Sequence, residues 1–135
     1  MFGNWKKKMM LLLLGGVLYA VLSTPGLLKI EQIFRENNSS HPLTPRMCYL
    51  TANLAYWTLR YELAAEMYDK NIREFPYFSG RKDAEFRRAR AYEKSGDYSR
   101  AIALYEDFLL EYPKDRRHDS VESAIAVCRI SAQGI

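Results

Sequence analysis

An uncharged run from Met9 to Leu28 dominates the hydrophobic pattern at the start of the chain. As a helix rising 1.5 Å per residue, this run would be about 30 Å long, which matches the hydrocarbon core of a bilayer. We therefore predict a transmembrane anchor helix with a polar extension over residues 9–36. Pro25 and Gly26 fall late in the run, where a proline can kink or end a helix.

Three lysines at positions 6–8 precede the apolar run, in a basic N-terminus that covers residues 1–8. Because the cytoplasmic flanks of membrane helices carry an excess of Lys and Arg, we expect this N-terminus in the cytoplasm. The chain is then a single-pass protein of the cytoplasmic (inner) membrane, with its folded part in the periplasm or another extracytoplasmic space. A cleaved signal peptide is the alternative, since a basic start followed by an apolar core has the same pattern.

A polar, turn-rich linker at residues 37–44 is followed by a segment with an internal repeat. Thr44 is predicted to cap the first helix, with Pro45 in its first position. Sliding the chain along itself by 37 residues aligns Ala52 with Ala89, Tyr61 with Tyr98, Ala64 with Ala101, Tyr68 with Tyr105, Glu74 with Glu111 and Pro76 with Pro113. Small residues that recur where helices touch, and a proline that recurs where a helix stops, predict stacked helical hairpins over residues 45–135.

The second copy of this repeat resembles the tetratricopeptide repeat family. Its matching residues are Ala89 and Tyr92 on the first helix, Gly96 and Tyr98 at the turn, and Ala101, Tyr105 and Pro113 on the second helix. The resemblance implies an all-α fold, in which the transmembrane helix is followed by an α-α superhelix of two hairpins and a capping helix. The segment at residues 108–113 is further similar to bacterial envelope members, such as outer-membrane assembly lipoproteins and Tol-Pal-associated proteins.

The first copy departs from the family pattern at its turn, where Leu59 and Arg60 replace the glycine, and at Asn71, which stands at a core position that is usually small. By the same resemblance, the first helices of successive hairpins would line a groove that binds other proteins. The candidate partner-binding residues are Tyr49, Asn53, Tyr56, Trp57, Phe86, Arg90, Glu93 and Lys94. For the aromatic residues Tyr49, Tyr56 and Phe86 the alternative is a place in the core, which aromatics at helical spacing usually have.

No pattern typical of a catalytic, cofactor-binding or metal-binding site accompanies these helices. The two histidines, His41 and His118, stand in no nucleophile pattern, and the spacing of Cys48 and Cys128 matches no zinc motif. Acidic residues interrupt the basic stretch around residues 81–90, which favours a solvated charged helix face. Nucleic acid is therefore not expected as a partner. Because a whole hairpin would separate the two cysteines, we expect both to be free thiols.

The sequence therefore predicts a membrane-anchored protein–protein interaction module, a scaffold or adaptor with no enzymatic activity, no cofactor and no small-molecule substrate. Its expected partners are other proteins, above all membrane or envelope proteins, and membrane lipid through residues 9–28. One alternative is a small accessory subunit of a larger membrane protein complex that packs through its transmembrane helix and its repeats. Another alternative is an enzyme whose site the sequence does not reveal.

Overall fold

The computed structural model describes residues 2–38 and 40–134, and within them the chain forms seven α-helices and no strand. The helices are α1 (Phe2–Leu22), α2 (Thr24–Asn38), α3 (Thr44–Trp57), α4 (Tyr61–Glu74), α5 (Arg81–Ser95), α6 (Tyr98–Glu111) and α7 (His118–Ala132). The all-α prediction is confirmed for this part of the chain. Met1, Ser39 and Ile135, which the sequence placed in the N-terminus, the linker and the end of the repeats, lie outside the described residues.

Each helix packs against the next one along the chain, from α2 to α7. α3 pairs with α4 and α5 pairs with α6, while α7 covers α6, so the predicted order of two hairpins and a capping helix is observed. The aligned alanines of the repeat are fully buried: Ala52, Ala64, Ala89 and Ala101. A methyl side chain lets the backbones of two helices approach closely, which explains why the repeat keeps alanine at these positions.

Two details of the first hairpin differ from the sequence prediction. Thr44 is the first helical residue and Leu43 occupies the N-cap position, so the helix begins one residue earlier than predicted. Asn71, at a core position that is small in the family, is completely buried, and its amide nitrogen donates to the carbonyl oxygen of Pro45 at 3.2 Å. The first hairpin therefore uses a polar side chain where a small one was expected.

Both hairpins turn through the same left-handed backbone position. Gly96 ends α5 with a φ of 89°, and Leu59, which stands 37 residues earlier, has a φ of 63°. Glycine adopts this conformation freely because it has no Cβ, whereas an L-residue is strained there by roughly 1–2 kcal/mol. The repeat thus keeps the geometry of its turn even where its sequence departs from the family.

We expect Gly96→Ala to lower the free energy of unfolding by about 1 kcal/mol, because the added Cβ is strained at this φ although the space around it is open. The reverse change in the first hairpin, Leu59→Gly, should raise the free energy of unfolding by about 0.5 kcal/mol, since relief of strain is partly offset by the freer unfolded chain. Denaturant unfolding of the full chain in mild detergent measures both. The two substitutions must change the free energy of unfolding in opposite directions. A Gly96→Ala variant with unchanged stability would contradict the left-handed turn.

The apolar run does not form one continuous helix, so the prediction of a single anchor helix over residues 9–36 is wrong in this respect. α1 ends at Leu22, and α2 leaves at a bend of 66°. The hydroxyl oxygen of Ser23 accepts the backbone N–H of Gly26 at 3.3 Å, and a Cβ on Gly26 would overlap the carbonyl oxygen of Ala20. Pro25 and Gly26 therefore mark the break, as their sequence pattern allowed.

No single helix among the described residues is long and apolar enough to cross a bilayer, while the bent pair Asn4–Leu22 and Thr24–Asn37 meets that criterion jointly, by length and composition.

α2 packs onto the first hairpin. Leu27 is fully buried and Glu31 is 3% exposed. Arg35 forms ion pairs with Glu31 on its own helix and with Glu74 at the end of α4, and its guanidinium carbon lies 5.7 Å from the ring centroid of Phe75. α2 thus covers α3 as an additional helix of the stack, ahead of the predicted boundary at residues 37–44.

Neither cysteine is accessible at the protein surface. Cys48 on α3 and Cys128 on α7 are both buried, and both are free thiols. Burial raises the pKa of each thiol, so the reactive thiolate is disfavoured at neutral pH. The prediction of two unpaired cysteines is confirmed.

Candidate partner-binding groove

The residues predicted to bind a partner divide evenly between the first helices of the two hairpins. Tyr49, Asn53, Tyr56 and Trp57 lie on α3, and Phe86, Arg90, Glu93 and Lys94 lie on α5. Their exposure differs sharply. Trp57, Arg90 and Lys94 are exposed, four others are half-buried, and Asn53 is buried. A partner would therefore meet the three exposed side chains first.

The half-buried aromatics of α3 serve both the core and the surface. The ring of Tyr49 lies 6.0 Å from that of Tyr68 and 6.2 Å from that of Phe78, measured between centroids. The ring of Tyr56 meets that of Tyr61 edge to face at 5.2 Å. Both tyrosines pack against the core on one side, which agrees in part with the alternative that assigned them there.

Phe86 is held mainly by contacts within the protein. Its ring centroid lies 5.8 Å from that of Phe108, and the guanidinium carbons of Arg117 and Arg90 lie 4.7 Å and 5.9 Å from the Phe86 centroid. Cations over an aromatic face interact favourably with its negative quadrupole. These contacts leave Phe86 a supporting role beneath the candidate groove.

Asn53 does not present a free amide to a ligand. Its side-chain oxygen Oδ1 accepts the hydroxyl proton of Tyr68 at 2.5 Å, inside the first hairpin. Burial raises the pKa of Tyr68, and the positive charge of Arg87 on α5 opposes that shift. The amide therefore satisfies a buried hydroxyl, as a structural residue does.

Glu93 is engaged in a similar way in the second hairpin. Its carboxylate oxygen Oε2 accepts the hydroxyl proton of Tyr105 at 2.6 Å. Burial and this bond raise the pKa of Tyr105, so the phenol stays protonated and continues to donate. Glu93 thus stabilises the hairpin and remains half exposed beside Arg90 and Lys94.

Sequence reasoning missed an open depression of about 840 Å³ on the surface of α4 and α5. The residues that line it are Glu66, Asp69, Lys70, Ile72, Arg73, Pro76, Arg81 and Arg88. Two of its four cations pair with acids, because Arg88 binds Asp69 at 3.0 Å and Arg81 binds Glu85 at 2.7 Å. This agrees with a solvated charged face, the interpretation that the alternating charges of α5 favoured.

His118, Asp119 and Glu122 lie together at the start of α7, with their possible ligand atoms within 4.8 Å of one another. All three are solvent-accessible, and carboxylates on the first turn of a helix are favourable without any ion because of the helix dipole. We assign no metal to this cluster.

The stacked hairpins define an α-helical repeat protein. A model of the tetratricopeptide repeat family matches residues 83–115, which lie in the second hairpin and the connection after it, and the helical fold of the described residues is consistent with this match. No curated protein matches the chain. Repeats of this family generally mediate protein–protein interaction, and they typically act as scaffolds without enzymatic activity.

Proposed function

We propose that this chain is a membrane-tethered tetratricopeptide module that binds other proteins at the outer surface of the cytoplasmic membrane, without cofactor or catalysis. The observation that carries the proposal is the exposure of α1. Its exposed large apolar side chains are Trp5, Met9, Met10, Leu11, Leu12, Leu13, Leu14, Val17, Leu18, Tyr19 and Val21. A continuous apolar surface of this size is unfavourable in water and marks a lipid or protein contact.

α1 alone is not long and apolar enough to span a bilayer, but the residues that flank its apolar part suit a membrane location. Its strictly apolar part, Met9 to Leu22, would be only about 21 Å long, while the helix from Asn4 to Leu22 would be about 28 Å. Lysine side chains bury their methylene stems and keep the ammonium group at the interface, so the lysines at positions 6–8 extend the usable length. Trp5 then stands at the cytoplasmic interface, where tryptophan is enriched.

The contacts of α2 connect the proposed membrane anchor, α1, to the repeats. Because Leu27 is buried in the stack and Arg35 bridges to Glu74, α2 is held against the first hairpin, and only Ser23 separates α2 from α1. Confinement near a surface raises the effective concentration of a module for partners on that surface. The exposed residues Trp57, Arg90 and Lys94, with the edges of the half-buried tyrosines, are the proposed contact points for envelope proteins.

A second candidate is a small accessory subunit of a larger membrane complex. Gly15 and Gly16 favour it, because apart from their chain neighbours and the nearby backbone of α1, no atom of the described residues lies within 4 Å of a Cβ built at either position. Glycines on a membrane helix allow another helix to approach closely. Affinity purification from mild detergent separates the two candidates: one stoichiometric membrane complex supports the subunit, and partners that exchange support the adaptor.

We expect protease added to spheroplasts to digest the repeats while the chain sediments with the membrane fraction. The reason is the asymmetry of charge around α1, with the lysines at positions 6–8 on its cytoplasmic side. Spheroplasts lysed before treatment provide the control, since there protease reaches both sides. A mature N-terminus close to Thr24, or release into the soluble periplasmic fraction, would show instead that the segment is a cleaved signal peptide.

A further inference from the structure

The turn between α3 and α4 lies directly beside the end of α1. The guanidinium group of Arg60 donates a hydrogen bond to the carbonyl oxygen of Leu22, the last residue of α1. The final carbonyls of a helix have no partner within the helix, so this bond satisfies one of them. It also holds the neighbouring residue Leu59 near the point where the apolar helix ends.

Leu59 has an unfavourable backbone conformation, and its side chain is exposed rather than packed in the core. It has a φ of 63° and is 71% exposed, whereas the equivalent position of the second hairpin carries Gly96. A bulky residue at positive φ is an outlier, and such strain clusters at positions where the chain makes functional contacts. Two residues earlier, Trp57 at the end of α3 is 62% exposed. The turn therefore presents two large apolar side chains that the fold itself does not need.

We propose that this turn, formed by Trp57, Leu59 and Arg60, inserts into the interfacial region of the bilayer that holds α1, as a second membrane contact. The proposal rests on the proposed membrane location of α1. Its chemistry suits a lipid interface, because tryptophan prefers the headgroup level, leucine partitions into the acyl boundary, and arginine pairs with lipid phosphate. Trp5 and Leu22 are about 26 Å apart along α1, so Trp5 and Trp57 would mark opposite interfaces.

The bend at Ser23 supports this placement. With α1 upright in the bilayer, a bend of 66° leaves α2 closer to the membrane plane than to its normal, so the repeat stack lies near the surface. The bond from Arg60 to Leu22 keeps the turn at the level where α1 leaves the bilayer. Trp57 is therefore reassigned from the proposed protein-binding surface to this lipid-facing turn. The proposed protein-binding surface then consists of α5 residues such as Arg90 and Lys94.

Tryptophan fluorescence of the full chain in vesicles tests the proposal, because Trp5 and Trp57 are its two tryptophans. Trp5→Phe leaves Trp57 as the sole tryptophan, and Trp57→Phe leaves Trp5. A third variant, Trp5→Phe with Trp57→Phe and Tyr77→Trp, places a reference tryptophan at the opposite end of α4, where Tyr77 is 97% exposed. Vesicles of phosphatidylcholine and phosphatidylglycerol are prepared with acyl chains brominated close to the headgroup, which quench tryptophan at the interface.

We expect brominated lipid to remove most of the Trp57 emission and aqueous acrylamide to remove little of it, with the reverse for the tryptophan at position 77. If Trp5 is quenched by the lipid and Trp57 is not, the second membrane contact is wrong and the anchor stands. If neither tryptophan is quenched, the anchor fails and the contact fails with it.

Leu59→Gly in the Trp5→Phe background provides a second variant that keeps the turn geometry, because glycine suits its φ. We expect weaker lipid quenching of Trp57 with an unchanged helical circular dichroism spectrum, since the turn loses its deepest apolar group. Unchanged quenching would overturn the role of Leu59 in the contact.

Discussion

Replacing Ala101 by phenylalanine is expected to lower the free energy of unfolding by about 3 kcal/mol, at the upper end of the usual cost of overpacking. Ala101 is fully buried on α6, which packs against α5 on one side and α7 on the other. A phenyl ring at this position has no space unless the helices separate. Since a small domain has a total stability of about 5–15 kcal/mol, this loss is a large fraction of it.

The same helix offers a matched control. Ala103 lies two residues further along α6 and is exposed, so Ala103→Phe makes the same chemical change without a packing conflict. Its effect should stay within about 0.5 kcal/mol. Denaturant unfolding of the full chain in mild detergent, followed by circular dichroism, compares the two variants. Equal and small effects would contradict the placement of Ala101 at a helix contact and with it the repeat alignment.

The hairpins could be predicted from the sequence because their determinants are local. Gly96 supplies the left-handed turn, Pro113 cannot continue a helix, and buried alanines recur with the period of the repeat. Each of these signals acts within one hairpin or between neighbouring hairpins. This is why aligning the chain with itself at an offset of 37 residues predicted the correct order of the helices.

The packing of α2 could not be predicted, because an apolar residue has the same sequence signature whether it faces lipid or protein. Leu27 belongs to the uncharged run, yet it is fully buried against the stack. The decisive contact joins Arg35 to Glu74, 39 residues away, and no periodicity reports such a pair. Only the break at Pro25 and Gly26 left a signal in the sequence.

The sequence predicted which helices form the candidate groove, but it did not predict which of their side chains are engaged within the protein. The repeat pattern placed Asn53 and Glu93 on the first helices, yet only tertiary contacts show that both accept tyrosine hydroxyls. Arg117 was missed altogether, because it follows the last matched position of the repeat, Pro113, in a short connection with no pattern of its own. Its contacts make it a large contributor to stability.

Arg117 joins the start of α7 to the second hairpin. Its guanidinium group binds Asp115 at 2.8 Å and Asp83 at 2.7 Å, and its central carbon lies 4.7 Å and 5.2 Å from the ring centroids of Phe86 and Phe108. The Arg117 side chain is 19% exposed and that of Asp115 is 4% exposed. Removing one partner of such a pair leaves the other charge poorly solvated, which costs more than the attraction itself suggests.

Asp115 also gives the site a defined pH dependence. Hydrogen bonds from Arg117 hold the pKa of the Asp115 carboxyl well below its ordinary range, against the opposing effect of burial. A group whose pKa is depressed in the folded state stabilises the fold above its unfolded pKa of about 4, and this contribution is lost as pH falls through the folded-state pKa. The stabilisation is therefore fully present at neutral pH and disappears only in strong acid.

Arg117→Ala is thus expected to lower the free energy of unfolding by about 3 kcal/mol at pH 7, through the broken ion pairs and the uncovered aromatic rings. The neighbouring arginine gives the control: Arg116 is exposed, and Arg116→Ala should change stability by no more than about 0.5 kcal/mol. Denaturant unfolding repeated from pH 7 to strong acid should show the gap in free energy of unfolding between Arg117→Ala and the native chain narrowing below about pH 4, where the unfolded chain protonates its Asp115 carboxyl. The gap should reach its minimum only in strong acid, where the folded native chain protonates Asp115 as well. A gap that stayed constant with pH would assign the lost stability to packing on Phe86 and Phe108 alone. Equal effects of the two arginine substitutions would rule out Arg117 as the residue that fixes α7 to the second hairpin.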